Sequence, residues 1–363
     1  MLFRLDRYLL KQFFGILGIS ILGFISIFLI VDLIENLDRF VDNGVPGKVI
    51  FNYYLYSIPY FVSVALPMAM LISTVFGVGM LVKRNEWTAM KSSGISLYRL
   101  STPLLLMGLI ISMFSFILDN QVVSWGNEKR YTIDRDYVKK RSRHKLKNPL
   151  KNIFIQKEKT VHIGMEKYNI KKMSGNILTW VDLGADIIKQ RIDARNIVYL
   201  SDSLAWKISN YSIRNFQNGI EIGVDVSEGD TLIDLRFTPE DINKQARSPD
   251  ELDYFELTSR ISDLKSNGVK TIRWEVTRYL KVSFALTNFI VVLCGIPLVV
   301  FKEKNSLSFG IGMSVFVIFG YYAFIKFGQS MGFKGQLSPL LSAWLGNIVF
   351  FIGGIILLIR ARK

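Results

Sequence analysis

Six apolar runs punctuate this chain, each long enough to cross a bilayer core as a helix of about 20 residues. They extend from about Phe13 to Ile34, Tyr56 to Val82, Leu100 to Leu118, Val282 to Phe301, Leu307 to Phe327 and Leu340 to Ile359. Pro59 and Pro67 fall inside the second, where neighbouring helices can satisfy the freed backbone groups. Between the third and fourth runs, roughly Asp119 to Glu275, the texture changes. From about Asn152 short stretches alternate apolar and polar residues (NIFIQ, TVHIGM, ILTWVDL, RNIVYL, LAWKISNYSI, IEIGVDV, TLIDLRF). Turn-like clusters separate them at Met173-Ser174-Gly175-Asn176, Gln217-Asn218-Gly219 and Glu228-Gly229-Asp230. Period-two alternation with frequent turns predicts an antiparallel sandwich or jelly roll. Ahead of it, Trp125 to Lys147 is polar and reads as a helical stalk. Behind it, Pro249 to Lys265 opens on Ser-Pro and acidic residues and spaces Leu252, Phe255 and Leu257, as a capped helix leading back to the membrane would.

The pattern predicts an α-helical membrane protein with about six transmembrane helices and an all-β, jelly-roll-like domain inserted between helices 3 and 4. Its parts are a first transmembrane half over residues 1–120, the β domain with its stalks over 121–276, and a second transmembrane half over 277–363. The first run is too long for a cleaved signal peptide and no small-residue cleavage site follows it, so it is expected as a retained helix.

Charge sets the expected orientation. Arg4, Arg7 and Lys11 precede the first run; Lys83, Arg84, Lys91 and Arg99 separate the second and third; Lys302 and Lys304 follow the fourth; Arg360, Arg362 and Lys363 end the chain. On the other side, Asp32, Glu35, Asp38 and Asp42 outweigh Arg39 and Lys48. The bias puts both termini in the cytoplasm and the β domain in the periplasm. Half of the residues are hydrophobic, and the formal charge is +15. The basic residues flank apolar runs or mix with carboxylates, as expected beside anionic lipid rather than for nucleic-acid binding. Cys294 is the sole cysteine, so no intrachain disulfide can staple the β domain. His144 and His162 are the only histidines and have no cysteine near them in sequence, which argues against a metal site. The basic run Lys139 to Lys151 reads as a solvated stalk, or as an attractor of acidic headgroups.

The loop Lys83 to Ser96 (KRNEWTAMKSSGIS) is the most informative stretch. Glu86 to about Ser92 can form a short helix ended by Gly94 in a left-handed cap. Trp87 and Met90 are three apart, so they share a face that could fill a groove on a partner. Glu86 at the helix start suits both the macrodipole and a basic partner. The plainer alternative is an interfacial loop with an aromatic anchor.

Together with its flanks, this stretch resembles the lipopolysaccharide-export permeases of the LptF/LptG, or YjgP/YjgQ, type. AMKSSGIS is similar to their cytoplasmic coupling segment, here about residues 84–94. Leu5-Asp6-Arg7-Tyr8 opens the chain as in that family, particularly its G-type subunit. Ile58-Pro59 and Leu66-Pro67-Met68-Ala69 resemble its second-span prolines. Cys294-Gly295-Ile296-Pro297-Leu298 resembles the end of its fourth span. Gly320-Tyr321-Tyr322, Leu337-Ser338-Pro339 and Ala343-Trp344-Leu345-Gly346-Asn347 look like its last two spans. The resemblance covers both membrane thirds.

The resemblance implies a permease subunit, not an enzyme, of an ATP-driven exporter in the cell inner membrane. Its partners would be a second homologous six-helix permease subunit, a cytoplasmic ABC ATPase dimer, and a periplasmic jelly-roll bridge protein with its membrane-anchored adaptor. Lipopolysaccharide would leave the outer leaflet of the inner membrane through a cavity opening sideways between the first and fifth spans. Glu86, Trp87, Met90 and Gly94 would carry ATPase docking. This chain would hold no cofactor; ATP and magnesium would sit on the ATPase, and the sequence has no G-x-x-x-x-G-K-[ST]. Phe24, Phe28, Phe316, Phe319 and Tyr322 could line an acyl-chain surface, and Arg39, Lys281 and Lys326 could meet lipid phosphates. Ordinary packing or snorkelling are the alternatives for these residues. One departure is Asp32 and Glu35, where the family often has a basic residue. The competing class is a membrane-anchored envelope scaffold or sensor whose β domain binds a partner.

Overall fold

A computed structural model describes residues 4–138, 150–157, 160–169, 172–184, 187–201, 205–239, 242, 248–266, 270–300 and 306–361. Most of the basic run Lys139 to Lys151, with His144, and also Lys302, Lys304, Arg362 and Lys363, lie outside the described residues. The chain divides into two compact units, one built from the apolar helices and one containing the strands.

In the helical unit, α1 spans Arg4–Asp42, α2 Gly47–Lys83, α3 Glu86–Ser92, α4 Leu97–Leu118 and α5 Ser124–Ile133, with a π-helical turn at Asp119–Val123 joining α4 to α5. After the inserted segment come α6 (Tyr254–Ser266), whose residues from Ser259 onward belong to the other unit, and then α7 (Ile272–Val300), α8 (Ser306–Phe333) and α9 (Pro339–Arg360). Among the described residues, six helical stretches are long and apolar enough to cross a membrane. At 1.5 Å per residue, the 37 residues of α2 reach about 55 Å, longer than a hydrocarbon core of about 30 Å.

The middle of the bundle is α2 and α7, which bury most of their apolar length, whereas α1, α8 and α9 turn much of theirs outward. Close approach at the centre requires small residues: a Cβ on Gly295 of α7 would stand 2.9 Å from Leu71 and 3.1 Å from Thr74 of α2. Polar side chains bind the second half together. The Tyr321 hydroxyl of α8 donates to Asn347 of α9, whose amide donates to the Ser283 carbonyl of α7 at 2.7 Å. Ala361, Leu9, Trp87 and Leu97 share one apolar cluster, so the start of α1, the end of α9 and α3 gather at the same end of the bundle.

Six strands form one antiparallel sheet in chain order: β1 Leu150–Lys157, β2 Val161–Asn169, β3 Ser174–Leu183, β4 Ile188–Leu200, β5 Ala205–Gln217 and β6 Ile220–Ile233. The inserted antiparallel domain matches the sequence pattern. A crease crosses all six strands. Pairing lapses at Asn152 and Glu166, at Ile177, at Arg195, at Asn210, and opposite Glu228-Gly229, where the β5–β6 register shifts. Ile177 and Asn210 take positive φ of 54° and 50° there. The buried parity changes at this row. In β2 it passes from Val161, Ile163 and Met165 to Tyr168; in β4 from Ile192 and Ala194 to Ile197; in β5 from Trp206 and Ile208 to Tyr211 and Ile213. These parity changes keep the apolar side chains of each strand on a single face without shifting the register at the crease from β1 to β5, and β6 alone carries an extra residue there, as a bulge.

A strap after β6 covers that face. Leu235, Phe237 and Ile242 are buried in the same cluster. The Trp180 indole donates to the Leu235 carbonyl at 3.0 Å, and the Trp206 indole to the Phe237 carbonyl at 2.6 Å.

Several boundaries differ from the sequence expectation. Glu228-Gly229-Asp230 is not a turn but a bulge within β6, because an isolated glycine in a strand bends it without ending it. Ser174 to Asn176 already belongs to β3, and the positive φ sits on Met173. Asn218-Gly219, both at positive φ, make the expected hairpin between β5 and β6. Pro249–Glu251 is a short 3₁₀ turn, and α6 starts after Asp253, whose carboxylate accepts from the Glu256 N–H while Glu256 accepts from the Asp253 N–H.

Candidate functional site

The loop between α2 and α4 folds as the sequence predicts. Asn85 at φ 59° breaks α2, and α3 runs Glu86–Ser92. Gly94 at φ 87° closes it, with N–H bonds from Gly94 to Lys91 O and from Ile95 to Met90 O. Ser96 then caps α4 by accepting from the Arg99 N–H.

Trp87 and Met90 do share a face, but that face turns into the chain's own core. Trp87 is 2% exposed and clusters with Leu9, Leu81, Leu97 and Leu100, with Met90 packed against them. The expectation that these side chains fill a groove on a partner is therefore corrected. A large apolar surface on so short a helix is buried at home, where it fixes the helix to the bundle. Thr88, Ala89 and Ser92 face outward, and Glu86 stands at the rim.

Glu86 is held from α1. The Tyr8 hydroxyl donates to Glu86 Oε2 at 2.8 Å, and the Arg84 guanidinium lies 3.9 Å from Oε1. On the same turn of α1, Asp6 accepts both terminal nitrogens of Arg99 at 2.9 Å each. Sequence reasoning missed both links. Asp6 and Tyr8 were visible as part of a family-like opening, and Arg99 as one of several loop cations. Nothing in a sequence separation of 93 residues pairs Asp6 with Arg99.

The lipid-path candidates separate into two groups. Phe24 and Phe28 are half-buried and stack on each other at 6.3 Å, and Phe28 meets Phe61 of α2. Phe316 and Phe319 project outward from α8. Tyr322 turns inward instead: its hydroxyl donates to the Val64 carbonyl and its ring packs on Phe284. At the end of the bundle away from α3, Lys281 donates to Asp119 Oδ2 at 3.0 Å and to Ser124 Oγ at 3.1 Å, with only 9% of its side chain exposed. Arg39 donates to Asn36 Oδ1, and Lys326, on the surface, to Gln329 Oε1. Among the described residues no group of three or more His, Cys, Asp or Glu could hold a metal ion.

This arrangement joins a short helix seated by its own aromatic residue to a bundle whose outer spans present apolar surface. Residues 7–360 match the family described as lipopolysaccharide export system permease LptF/LptG. The chain is also 22% identical over 365 residues to the lipopolysaccharide export system permease protein LptG of Escherichia coli strain K12, covering 98% of each chain. The LptG of a second Escherichia coli strain, O6:H1, matches to the same extent. Six spans, the inserted β domain and a match over nearly the whole length agree: the chain belongs to the LptF/LptG family of lipopolysaccharide export system permeases.

Proposed function

We propose that this chain is one of two permease subunits of an ATP-driven lipopolysaccharide exporter, with α3 as the element that docks a cytoplasmic ATPase. The observation that carries the reading is α3 itself. Trp87 and Met90 seat it in the bundle, Gly94 closes it, and Glu86 and the small residues Thr88, Ala89 and Ser92 are left at the surface. A push on such a helix reaches the spans because its apolar face is part of their core. Both termini and α3 would then be cytoplasmic and the β domain periplasmic. Lipopolysaccharide would enter beside α1 and α8, which both leave much of their apolar length uncovered. It would pass to a periplasmic jelly-roll bridge held by a membrane-anchored adaptor. Phe24, Phe28, Phe316, Phe319 and Tyr322 would meet acyl chains, directly or through the packing behind them. Arg39 and Lys326 would meet phosphate groups, and Lys281 would do so on leaving Asp119. The matches to two LptG proteins and the Leu5 to Tyr8 opening support a G-type subunit.

The test is a pull-down of the tagged chain in mild detergent, with Glu86→Lys alongside. The expected result is recovery of a second six-span permease and an ATPase with the wild-type chain, and loss of the ATPase with Glu86→Lys. Recovery of no ATPase with the wild-type chain overturns the reading.

A further inference from the structure

The foot of α1 carries two bonds to two different elements. Tyr8 reaches Glu86 of α3, and Asp6 reaches Arg99 at the start of α4. The bonds differ in kind. The Asp6–Arg99 pair is charge-assisted and two-pronged, and the Asp6 side chain is 8% exposed, so this link persists. The Tyr8–Glu86 bond joins a neutral hydroxyl to a rim carboxylate, which a cationic group on a partner would readily claim.

The rest of α1 is held on one side only. Leu9, Phe13 and Leu17 seat the foot, and at the far end Phe40 packs edge-on against Tyr53 at 5.3 Å. Between them, added Cβ atoms at Gly18 and Gly23 would meet nothing within 4 Å, and Ile19, Leu22, Ile27, Ile30 and Ile34 face outward. The 39-residue α1 is thus held along one side, by its seated foot, by Phe28 against Phe61 and by Phe40 at the far end, and turns its other side outward.

We infer that Tyr8, Asp6 and Arg99 form a latch through which displacement of α3 turns α1. Tyr8 is the releasable tie and Asp6–Arg99 the pivot. These are positioning residues: they touch neither lipid nor nucleotide, and act by setting where the middle of α1 faces. A partner cation that takes the Glu86 carboxylate frees Tyr8, and the foot rotates about the Arg99 pair. The inference rests on the reading of α3 as the ATPase dock.

The test uses the whole complex with its ATPase, reconstituted with lipopolysaccharide, and an environment-sensitive fluorophore on Ile30→Cys in a Cys294→Ala background. Tyr8→Phe removes only the hydroxyl. The expected result has three parts: the ATPase co-purifies with both chains, the wild-type fluorophore responds to nucleotide, and in Tyr8→Phe both that response and the lipid exported per ATP fall about fivefold, the factor set by one ordinary hydrogen bond. Exchanging the pivot charges, Asp6→Arg with Arg99→Asp, should restore coupling that either change alone removes. A Tyr8→Phe chain with wild-type response and export overturns the latch and leaves the dock standing. Loss of ATPase from Tyr8→Phe alone makes Tyr8 part of the dock and also overturns the latch. A wild-type chain that binds no ATPase overturns the dock reading and the latch with it.

Discussion

The Trp206 indole N–H donates to the Phe237 carbonyl at 2.6 Å while the two rings stack with centroids 4.7 Å apart. One side chain thus holds both the backbone and the side chain of the strap, and Tyr168 and Tyr199 pack edge-on around it. Trp206→Phe keeps much of the stacking but removes the donor and part of the volume. It should destabilise the β domain by about 2 kcal/mol. Denaturant unfolding followed by near-ultraviolet circular dichroism checks this; an unchanged midpoint would mean the strap is held elsewhere.

Tyr168 is fully buried, its hydroxyl has no hydrogen-bond partner among the described residues, and burial pushes its pKa up to about 12. The sign follows directly. The folded state holds the phenol proton more tightly than the unfolded chain, whose tyrosine titrates near 10. Stability from this group is therefore intact below about pH 10 and is lost as pH rises through about 12. Tyr168→Phe should be at least as stable as wild type at neutral pH and should show a smaller alkaline loss. Paired melting curves across that window test it; parallel losses in both chains would contradict the assignment.

Gly295 and Gly18 make a contrast within the membrane unit. A Cβ at Gly295 would run into Leu71 and Thr74, whereas one at Gly18 meets nothing. Gly295→Val should cost about 1–3 kcal/mol through overpacking of α2 against α7. Gly18→Ala should leave thermal stability in detergent close to wild type. Equal losses at the two sites would show that the contact with α2 does not decide them.

Photo-crosslinkers separate lining residues from packed ones. On the proposed path, an amino acid of this type at Phe319, which is 72% exposed, should capture lipopolysaccharide in an actively exporting complex. One at Phe28 should do so more weakly, because that ring is engaged with Phe24 and Phe61. Capture at Trp206, which is 1% exposed, would require the strap to leave. Silence at both Phe319 and Phe28 would remove the route.

The spans were legible because a helix of bilayer length needs little besides apolar residues, and the α3 loop because Gly94 and the Glu86 to Ser92 stretch follow local rules. The face that α3 presents was not legible. Trp87 and Met90 share a side at any helical spacing, but whether that side meets a partner or Leu97 and Leu100 is decided by tertiary packing. The ties from Tyr8 and Asp6 are equally remote from local signals. In the β domain, alternation located the strands, yet Glu228-Gly229 read as a turn because composition does not distinguish a chain reversal from a bend within one strand. The parity changes at Glu166 and Arg195 were visible as pairs of successive polar residues, but only the pairing of neighbouring strands reveals that they fall in one row.

That row restricts how the domain can tolerate changes in length. A residue gained at the Asn218-Gly219 hairpin lengthens a loop and disturbs no neighbour. A residue gained or lost between the crease and a hairpin throws one strand out of step with the two beside it, and sends its apolar side chains to the wrong face. Only a matching change in adjacent strands would repair the fault. The six interruptions therefore behave as a single mechanical joint, and tolerance to insertion should alternate sharply along the sequence, generous at the reversals and narrow in the arms.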